Sequence, residues 1–207
     1  MKGVIGIDEV GRGPLAGPVT LCAVYIEDKK AITKELFNNT IRDSKKLSKS
    51  IRNSIYLTIM NKRKFKIKVK YAISSRSADY IDRHGINKAI KQCLVSCIQD
   101  LSRQGINIYS CKINLDAGLK VPLDGLIQKS FIKGDENYVE IALASVLAKE
   151  SRDAYMQRLA RSHPEYLWER NVGYGTKDHR SAIEKYGVTK YHRRNYLKAF
   201  KLFDKPE

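Results

Sequence analysis

The sequence predicts an α/β fold in which helices flank a mixed β-sheet, followed by a basic helical appendage at the C-terminus. Strand-like segments come first, and helix-like and strand-like segments then alternate. Residues 161–201 are dense in Lys, Arg, His and Tyr, with little core-forming sequence. Because the chain has 207 residues, 43% of them hydrophobic, it suits one folded domain with a sizeable core. We place this core at residues 1–160 and the appendage at residues 161–207.

The first segments predict two strands and a helix. Residues 4–7 are apolar, and the β-branched run Val19–Ile26 follows a turn rich in Gly and Pro, so two strands around a tight loop are expected. Ser48 is a candidate N-cap for a helix that extends to about Lys62, with apolar residues on one side.

The rest of the chain predicts two further strands and three helices. In residues 65–73 apolar residues alternate with lysines, the period of a half-exposed strand. Residues 86–104 carry apolar residues at helical spacing, and residues 106–115 then indicate another strand. Residues 138–161 have the composition of a long helix with a buried centre. Within the basic appendage, a helix is expected at Lys177–Tyr186.

Basic residues far outnumber acidic ones. The chain has 39 Lys and Arg against 22 Asp and Glu, which gives a formal charge of +17 and a pI near 9.7. Such a field attracts polyanions, of which nucleic acid is the commonest, although anionic membrane surfaces and plain solubility stay open as alternatives.

No segment of the sequence predicts export or a membrane span. The N-terminus lacks an apolar region of signal-peptide length, and the longest apolar runs fall well below the ~20 residues that cross a bilayer. We therefore expect a cytoplasmic protein with no membrane association. Its four cysteines are then expected to be reduced and buried rather than paired or bound to zinc. They are Cys22, Cys93, Cys97 and Cys111.

Several of the scarce acidic residues lie at the ends of apolar segments. Asp8 and Glu9 end the first strand, and Asp116 ends a later one, so these side chains meet if the two strands are neighbours. Asp153 continues the buried stripe of the long helix, which could aim it at the sheet. Carboxylates brought together repel unless cations lie between them, and hard divalent ions such as Mg²⁺ or Mn²⁺ prefer oxygen ligands. A metal site is one hypothesis for this set.

A purely structural interpretation of the same residues stays open. Asp153 has Lys149 four residues before it, the spacing of an ordinary helix-surface ion pair, and Asp116 could simply turn the chain. The Gly-Arg-Gly tripeptide at residues 11–13 could be an ordinary loop. It could also present backbone N–H groups closely to a sugar or phosphate, because glycine has no Cβ to hold a ligand away.

Four blocks of sequence, in order along the chain, resemble the type 2 ribonuclease H family, bacterial ribonuclease HII. They are DEVGRGPLAGP at residues 8–18, DSKKLS at 43–48, ASVLAK at 144–149 ahead of Arg152 and Asp153, and GYGTK at 173–177. The resemblance implies a ribonuclease H-like mixed sheet flanked by helices. It also implies an endoribonuclease that cleaves the RNA strand of RNA–DNA hybrids and cuts 5′ of ribonucleotides embedded in duplex DNA, leaving a 3′-hydroxyl and a 5′-phosphate.

The resemblance assigns roles to individual residues. By it, Asp8, Glu9, Asp116 and Asp153 match four catalytic carboxylates that hold two divalent ions, Mn²⁺ or Mg²⁺, at the scissile phosphate, with Asp8 bridging the ions. The Gly-Arg-Gly loop is expected to meet the ribose 2′-hydroxyl, and a tyrosine to bond the same group, while a Ser-Lys-Lys loop holds phosphates. These predicted substrate contacts are Gly11, Arg12, Gly13, Ser44, Lys45, Lys46 and Tyr174.

The same resemblance implies nucleic acid as the partner, a monomer, and a basic C-terminal region that completes the substrate surface. Glu150, an additional carboxylate one turn before Asp153, departs from the family pattern, and two alternatives stay open for it: an exposed side chain, or one that perturbs the metal site. Type 3 ribonuclease H is the closest alternative. A non-catalytic basic RNA-binding protein, for example a ribosome-associated one, is the alternative of a different class.

Overall fold

The computed structural model describes residues 3–37, 47–61 and 69–198, and a five-stranded mixed sheet forms its centre. The strand order is β3-β2-β1-β4-β5. Strand β2 pairs antiparallel with β1 and β3, whereas β4 pairs parallel with β1 and β5. The strands are β1 (Val4–Val10), β2 (Val19–Ile26), β3 (Val69–Arg76), β4 (Lys112–Asp116) and β5 (Ile127–Phe131). The predicted mixed sheet is confirmed.

Helices cover both faces of this sheet, and none in the described residues has the length and hydropathy to span a bilayer. The α-helices of these ranges are α1 (Lys29–Phe37), α2 (Lys49–Met60), α3 (Ala78–His84), α4 (Ile86–Arg103), α5 (Gly134–Asn137), α6 (Val139–Ser162), α7 (Trp168–Asn171), α8 (Lys177–Tyr186) and α9 (Arg194–Lys198). Short 3₁₀ turns lie at Ile108–Ser110 and Pro164–Tyr166. The sheet therefore has a helical layer on each side.

Helix α6 packs directly over β1 and β2 because its centre is apolar and small on every side. Leu143, Ala144 and Leu147 are fully buried against the sheet. The approach is so close at Gly6 that a Cβ there would lie 2.1 Å from the backbone carbon of Glu140. Glycine is thus required in β1 at this crossing, and the contact sets the position of α6 along the strand.

Helix α4 covers the opposite face with the apolar stripe that its spacing predicts. Leu94, Cys97 and Ile98 are buried there against Ile5 and Leu21. All four cysteines are buried, as expected, and none of them forms a disulfide. Burial raises the pKa of Cys97 to about 12, so this thiol stays neutral.

Most element boundaries agree with the sequence-based expectations. Val19–Ile26 and Lys177–Tyr186 are confirmed, and the Ser48 side chain accepts a hydrogen bond from the backbone N–H of Ile51, as an N-cap does. The strand expected at residues 106–115 is wrong in its first half. The carbonyl of Asn107 accepts both the N–H and the hydroxyl of Ser110, which closes a turn, so the strand begins at Lys112.

The expectation that residues 161–201 contribute little to a core is also wrong. Tyr166, Trp168 and Leu197 are buried there in an apolar cluster. Leu15 from the β1–β2 loop and Met156 from α6 belong to the same cluster. The C-terminal segment is therefore folded against the loop that follows the first strand.

Candidate active site

Two predicted site residues lie side by side on adjacent strands, at the point where the pairing of β1 with β4 ends. The register pairs Ile7 of β1 with Leu115 of β4 in parallel, so the following residues, Asp8 and Asp116, occupy neighbouring positions. Parallel neighbours end at the same edge of the sheet, and that topology alone brings the two carboxylates together. Asp8 is only 5% exposed.

Burial and mutual repulsion disfavour the charged form of this group. Desolvation, followed by the charges of Glu9 and Asp116, raises the pKa of Asp8 to about 8 against the opposing hydrogen bond from Ser145. Desolvation also raises the pKa of Glu9, in part offset by the positive charge of Arg12. A region with three close carboxylates and little solvent is one that a cation would stabilise.

Glu9 is held by its neighbours but retains an unused oxygen. Its Oε1 lies 2.6 Å from Nε of Arg12, while its Oε2 is buried and has no hydrogen-bond partner in the described residues. The backbone N–H of Glu9 donates to Oδ1 of Asp8 at 2.7 Å. The donor set is thus carboxylate oxygen with one oxygen unsatisfied, which fits Mg²⁺ or Mn²⁺.

The carboxylates are close without forming a closed cage. Among the described residues, no three Asp, Glu, His or Cys side chains stand close enough to surround an ion. Arg12 is paired with Glu9 in this arrangement. Asp8, Glu9 and Asp116 are the residues that would hold an ion at this site.

The structure adds a residue to this region that the sequence analysis missed. The backbone N–H of Gly134 donates to Oδ1 of Asp116 at 2.9 Å, and the next residue, Asp135, is 1% exposed. Strand β5 pairs parallel with β4 in a register that places Phe131 opposite Asp116. Asp135 is therefore a buried acid in the short helix that follows a third parallel strand, next to the residue that bonds Asp116.

Asp153 lies elsewhere on α6. Its Oδ2 accepts a hydrogen bond from Lys149 at 2.8 Å, and it lines a groove between α2 and α6 with Asn53. The α6 residue that bonds Asp8 is Ser145, eight residues earlier, or about 12 Å along a helix axis. The structure thus brings together Asp8, Glu9 and Asp116, and it places Asp153 in a separate groove.

Glu150 also faces this groove rather than the sheet edge. Its Oε1 lies 3.0 Å from Nε of Arg52, an ion pair that links α6 to α2. The pair is largely buried, with the Glu150 side chain only 8% exposed. The expected perturbation of the metal site by Glu150 is therefore not supported by this geometry.

Two of the predicted substrate-contacting segments lie on either side of one arginine. Gly11 has φ = +91°, and a Cβ there would lie 2.5 Å from Nε of Arg152. The same guanidinium lies 5.9 Å from the ring centroid of Tyr174, which is 42% exposed. Arg12 and Gly13 are exposed. Ser44, Lys45 and Lys46 lie outside the described residues.

A buried ring cluster holds the backbone of Tyr174. The indole N–H of Trp168 donates to Nε2 of His179 at 3.0 Å, so the proton of His179 is on Nδ1, which lies 2.9 Å from the Tyr174 carbonyl oxygen. Nε2 of His192 lies 3.2 Å from the same His179 nitrogen. Burial, then the charges of the other histidines, lowers the pKa of His192 to about 3. Both rings are therefore neutral near pH 7.

Comparison with known proteins gives a consistent family. The family model described as Ribonuclease HII matches residues 5–199. Curated ribonuclease HII from Staphylococcus saprophyticus is 41% identical over 193 residues, covering 93% of this chain and 68% of that protein. The ribonuclease HII of Wolbachia pipientis wMel is 39% identical over 197 residues, covering 95% and 91%. The chain thus spans about two thirds of the staphylococcal relative and nearly all of the Wolbachia one.

Solved structures share the fold. Ribonuclease HII from Archaeoglobus fulgidus, solved in complex with PCNA, has a TM-score of 0.73 at 23% identity and covers 93% of this chain and 94% of its own. Bst-RNase HIII in complex with Mn²⁺ has a TM-score of 0.67 at 20% identity, covering 98% and 70%. At these identities the likeness concerns the fold, a mixed sheet flanked by helices.

Proposed function

The chain belongs to the ribonuclease HII family, and we propose that it cleaves phosphodiester bonds at the carboxylates of Asp8, Glu9, Asp116 and Asp135 with two divalent ions. Family membership makes it a ribonuclease H, an endonuclease that acts on RNA–DNA hybrids. This overturns the alternative of a non-catalytic RNA-binding protein. The finer proposal is cutting on the 5′ side of ribonucleotides embedded in duplex DNA, leaving a 3′-hydroxyl and a 5′-phosphate.

The observation that carries the proposal is the position of acids on, or a few residues after, three parallel strands. Asp8 and Asp116 are neighbours in register, and the N–H of Gly134 joins Asp116 to the segment that carries Asp135. Divalent ions held by such carboxylates supply an activated water and stabilise the leaving 3′-oxygen. The protein's part is to hold the four carboxylate groups in place and to align the nucleic acid strand that is cut.

Substrate alignment is proposed for the segments that flank Arg152. The exposed backbone at Arg12 and Gly13 is proposed to meet the ribose, and Tyr174 to bond its 2′-hydroxyl, the group that separates RNA from DNA. The segment with Ser44, Lys45 and Lys46, which lies outside the described residues, is proposed as a phosphate contact that reads no sequence. Action as a cytoplasmic monomer stays a prediction, as does the division at residue 160.

The direct test uses a labelled DNA duplex with one ribonucleotide. We expect a single nick on its 5′ side with Mn²⁺ or Mg²⁺ and none in EDTA, while an all-DNA duplex of the same sequence stays intact. An RNA–DNA hybrid serves as the positive control for family activity. A duplex that stays uncut under conditions in which the hybrid is cleaved would remove the proposal for embedded ribonucleotides.

Two aspartate variants test which fourth carboxylate belongs to the site. Loss of residues that merely orient metal ligands costs 10–100-fold, so Asp135→Asn, which removes a ligand, is expected to lower kcat by ~100-fold or more. Asp153→Asn is the matched control, with an expected loss below about tenfold because its partner is Lys149. Duplex binding should persist in both, since affinity rests on phosphate contacts. The reverse ranking would return Asp153 to the metal site.

A further inference from the structure

Arg193, just before α9, is fully buried and bonds three backbone carbonyls of the β1–β2 loop. Its Nη2 donates to the Gly11 oxygen at 2.6 Å, its Nη1 to the Arg12 oxygen at 2.9 Å, and its Nε to the Gly17 oxygen at 3.0 Å. Its backbone N–H donates to the Leu15 oxygen at 2.7 Å. One residue of the C-terminal region thus determines the direction of peptide groups almost the whole chain away.

The peptide geometry gives these bonds a consequence on the opposite side of the loop. In a trans peptide, the carbonyl of one residue and the N–H of the next point in opposite directions, and the described residues contain no cis peptide. Because the carbonyls of Gly11 and Arg12 point inward to Arg193, the N–H groups of Arg12 and Gly13 point outward. Both residues are exposed, and neither N–H has an acceptor within the described residues.

Two successive N–H groups directed the same way form a concave donor for an oxygen atom. Nothing lies within 4 Å of where a Cβ of Gly13 would be, so an approaching sugar meets no side chain there. The side chain of Arg12 is turned aside to Glu9. The outward face of the loop is therefore an open pair of donors beside the carboxylates.

The chemistry of Arg193 explains why an arginine occupies this position. Its planar guanidinium presents several N–H donors in one rigid fork, which a lysine ammonium cannot reproduce. Among the described residues it forms no ion pair with a carboxylate; its N–H groups bond the three carbonyl oxygens, and its guanidinium lies 5.1 Å from the ring centroid of Tyr196. Burial, with a contribution from the charge of Arg152, lowers the pKa of Arg193 to about 10, and the group keeps its proton at neutral pH.

We propose that Arg193 is a positioning residue for ribose recognition: it turns the N–H groups of Arg12 and Gly13 toward the ribose 2′-oxygen of the substrate. This inference rests on the proposed function and names the part of the protein that sets its selectivity. Arg193 does not touch substrate. It acts through two peptide planes, and a change there should alter the preference for ribose more than the chemistry of cleavage.

The test compares Arg193→Lys with Tyr166→Phe. The hydroxyl of Tyr166 donates to the Gly187 oxygen at 2.9 Å, and the ring of Tyr166 belongs to the C-terminal apolar cluster. Loss of this hydroxyl should therefore destabilise the C-terminal region without changing a contact of the β1–β2 loop. For each protein we would measure Kd in EDTA for a duplex with one ribonucleotide and for its all-DNA counterpart. We expect the Kd ratio to fall about tenfold in Arg193→Lys and to stay at the wild-type value in Tyr166→Phe.

Two results would overturn the inference: an unchanged ratio in Arg193→Lys, or an equal fall in Tyr166→Phe at matched Tm. Wild-type protein that binds both duplexes equally would overturn it as well. A failure of the proposed function is distinguishable, since it appears as uncut substrate with metal whatever the Kd ratio is.

A measurement on the wild-type protein decides the matter if Arg193→Lys does not melt cooperatively. The amide resonances of Arg12 and Gly13 are followed by ¹⁵N NMR during titration with the two duplexes. We expect larger downfield shifts of both amides with the ribonucleotide duplex than with the all-DNA one. Equal shifts with both duplexes would overturn the assignment of these N–H groups, and with it the role of Arg193.

Discussion

Asp8 is the residue whose charge the folded protein accommodates least well. It is buried beside two other acids, and those surroundings raise its pKa to about 8 from an ordinary value of 3.8. Between these two values the folded state binds more protons than the unfolded state, so the free energy of unfolding falls as pH rises. The site that we propose to bind metal is thus a source of instability when no metal is present.

Replacing Asp8 should therefore stabilise the metal-free protein at high pH while removing its activity. We expect the Tm of Asp8→Asn in EDTA, relative to wild type, to be higher at pH 9 than at pH 5 by about 10 °C, from ~4 kcal/mol of relieved charge burial. Differential scanning calorimetry at the two pH values measures it. Mn²⁺ should raise the Tm of wild type more than that of the variant. Equal Tm differences at both pH values would show that the charge of Asp8 does not destabilise the folded protein.

At the residue scale, the sequence predicts the adjacency of acids where they follow apolar strand residues, and it does not where that signal is weak. Asp8 and Asp116 come directly after apolar residues of β1 and β4, and the parallel register of these strands places the two residues next to each other. Asp135 was missed because β5 is an edge strand with mostly exposed or half-exposed residues, so its pattern is faint. Asp153 was chosen from a helical stripe, but α6 is buried on several sides, so periodicity alone does not select the face that meets the sheet.

At the scale of elements, the C-terminal ring cluster joins helix α8 to Tyr174, a residue of the proposed substrate surface. Thr176 caps the N-terminus of α8. His179, the third residue of that helix, bonds the Tyr174 carbonyl oxygen through Nδ1 and accepts a hydrogen bond from the indole N–H of Trp168 at Nε2. Burial lowers the pKa of both His179 and His192. As the pH falls below about 6.5, the unfolded chain takes up protons at these histidines while the folded protein does not. The free energy of unfolding is therefore highest above that pH and decreases below it.

As the pH falls, this ring cluster should therefore unfold before the acid unfolding that does not depend on these histidines begins. Between pH 7.5 and pH 5 the His192 shift is expected to cost ~2 kcal/mol, and Trp168, the one tryptophan of the chain, reports the change by fluorescence. We expect His192→Gln to move the midpoint of the acid transition to lower pH. The exposed His84 provides the control, and His84→Gln should leave the midpoint in place. Identical midpoints in all three proteins would contradict the coupling.

Element prediction from sequence was accurate where capping chemistry is local. The Ser48 cap and the limits of α8 follow from side chains that bond their own helix ends, and the sequence displays those directly. The overlong strand at residues 106–115 arose because apolar residues continue through a turn that Asn107 closes. The buried C-terminal cluster was not foreseen, because its partners, Leu15 and Met156, are distant in sequence.

At the scale of the whole molecule, the charge of +17 is spread over a body whose proposed catalytic edge is acidic. Phosphate contacts made by Lys and Arg release condensed counterions, and this makes binding depend steeply on salt. We expect the Kd for a duplex to rise by roughly 10³-fold or more between 50 and 200 mM KCl if about six phosphates are contacted. Fluorescence anisotropy in EDTA measures it. A nearly flat response would mean that the basic surface does not face the duplex.

The fold class was predictable because the order of strand-like and helix-like segments restricts the layers that can form. Neither composition nor periodicity could show that residues beyond 160 pack around the loop at residues 11–18. That arrangement depends on hydrogen bonds from Arg152 and Arg193 to backbone carbonyl oxygens. Every residue has a backbone carbonyl, so the sequence does not show which of them these arginines bond. Buried arginines look like surface ones until their partners are seen.

These arginine contacts have a consequence for how the protein is made. A ribosome delivers Asp8, Glu9 and Asp116 long before Arg193, which bonds residues up to 182 positions earlier. A nascent chain therefore holds its acids and most of its sheet while the loop that we assign to ribose recognition still lacks its anchor. The contacts that we assign to ribose selectivity are thus the last to form during synthesis, and a chain that ended near residue 190 would have the acids but not Arg193.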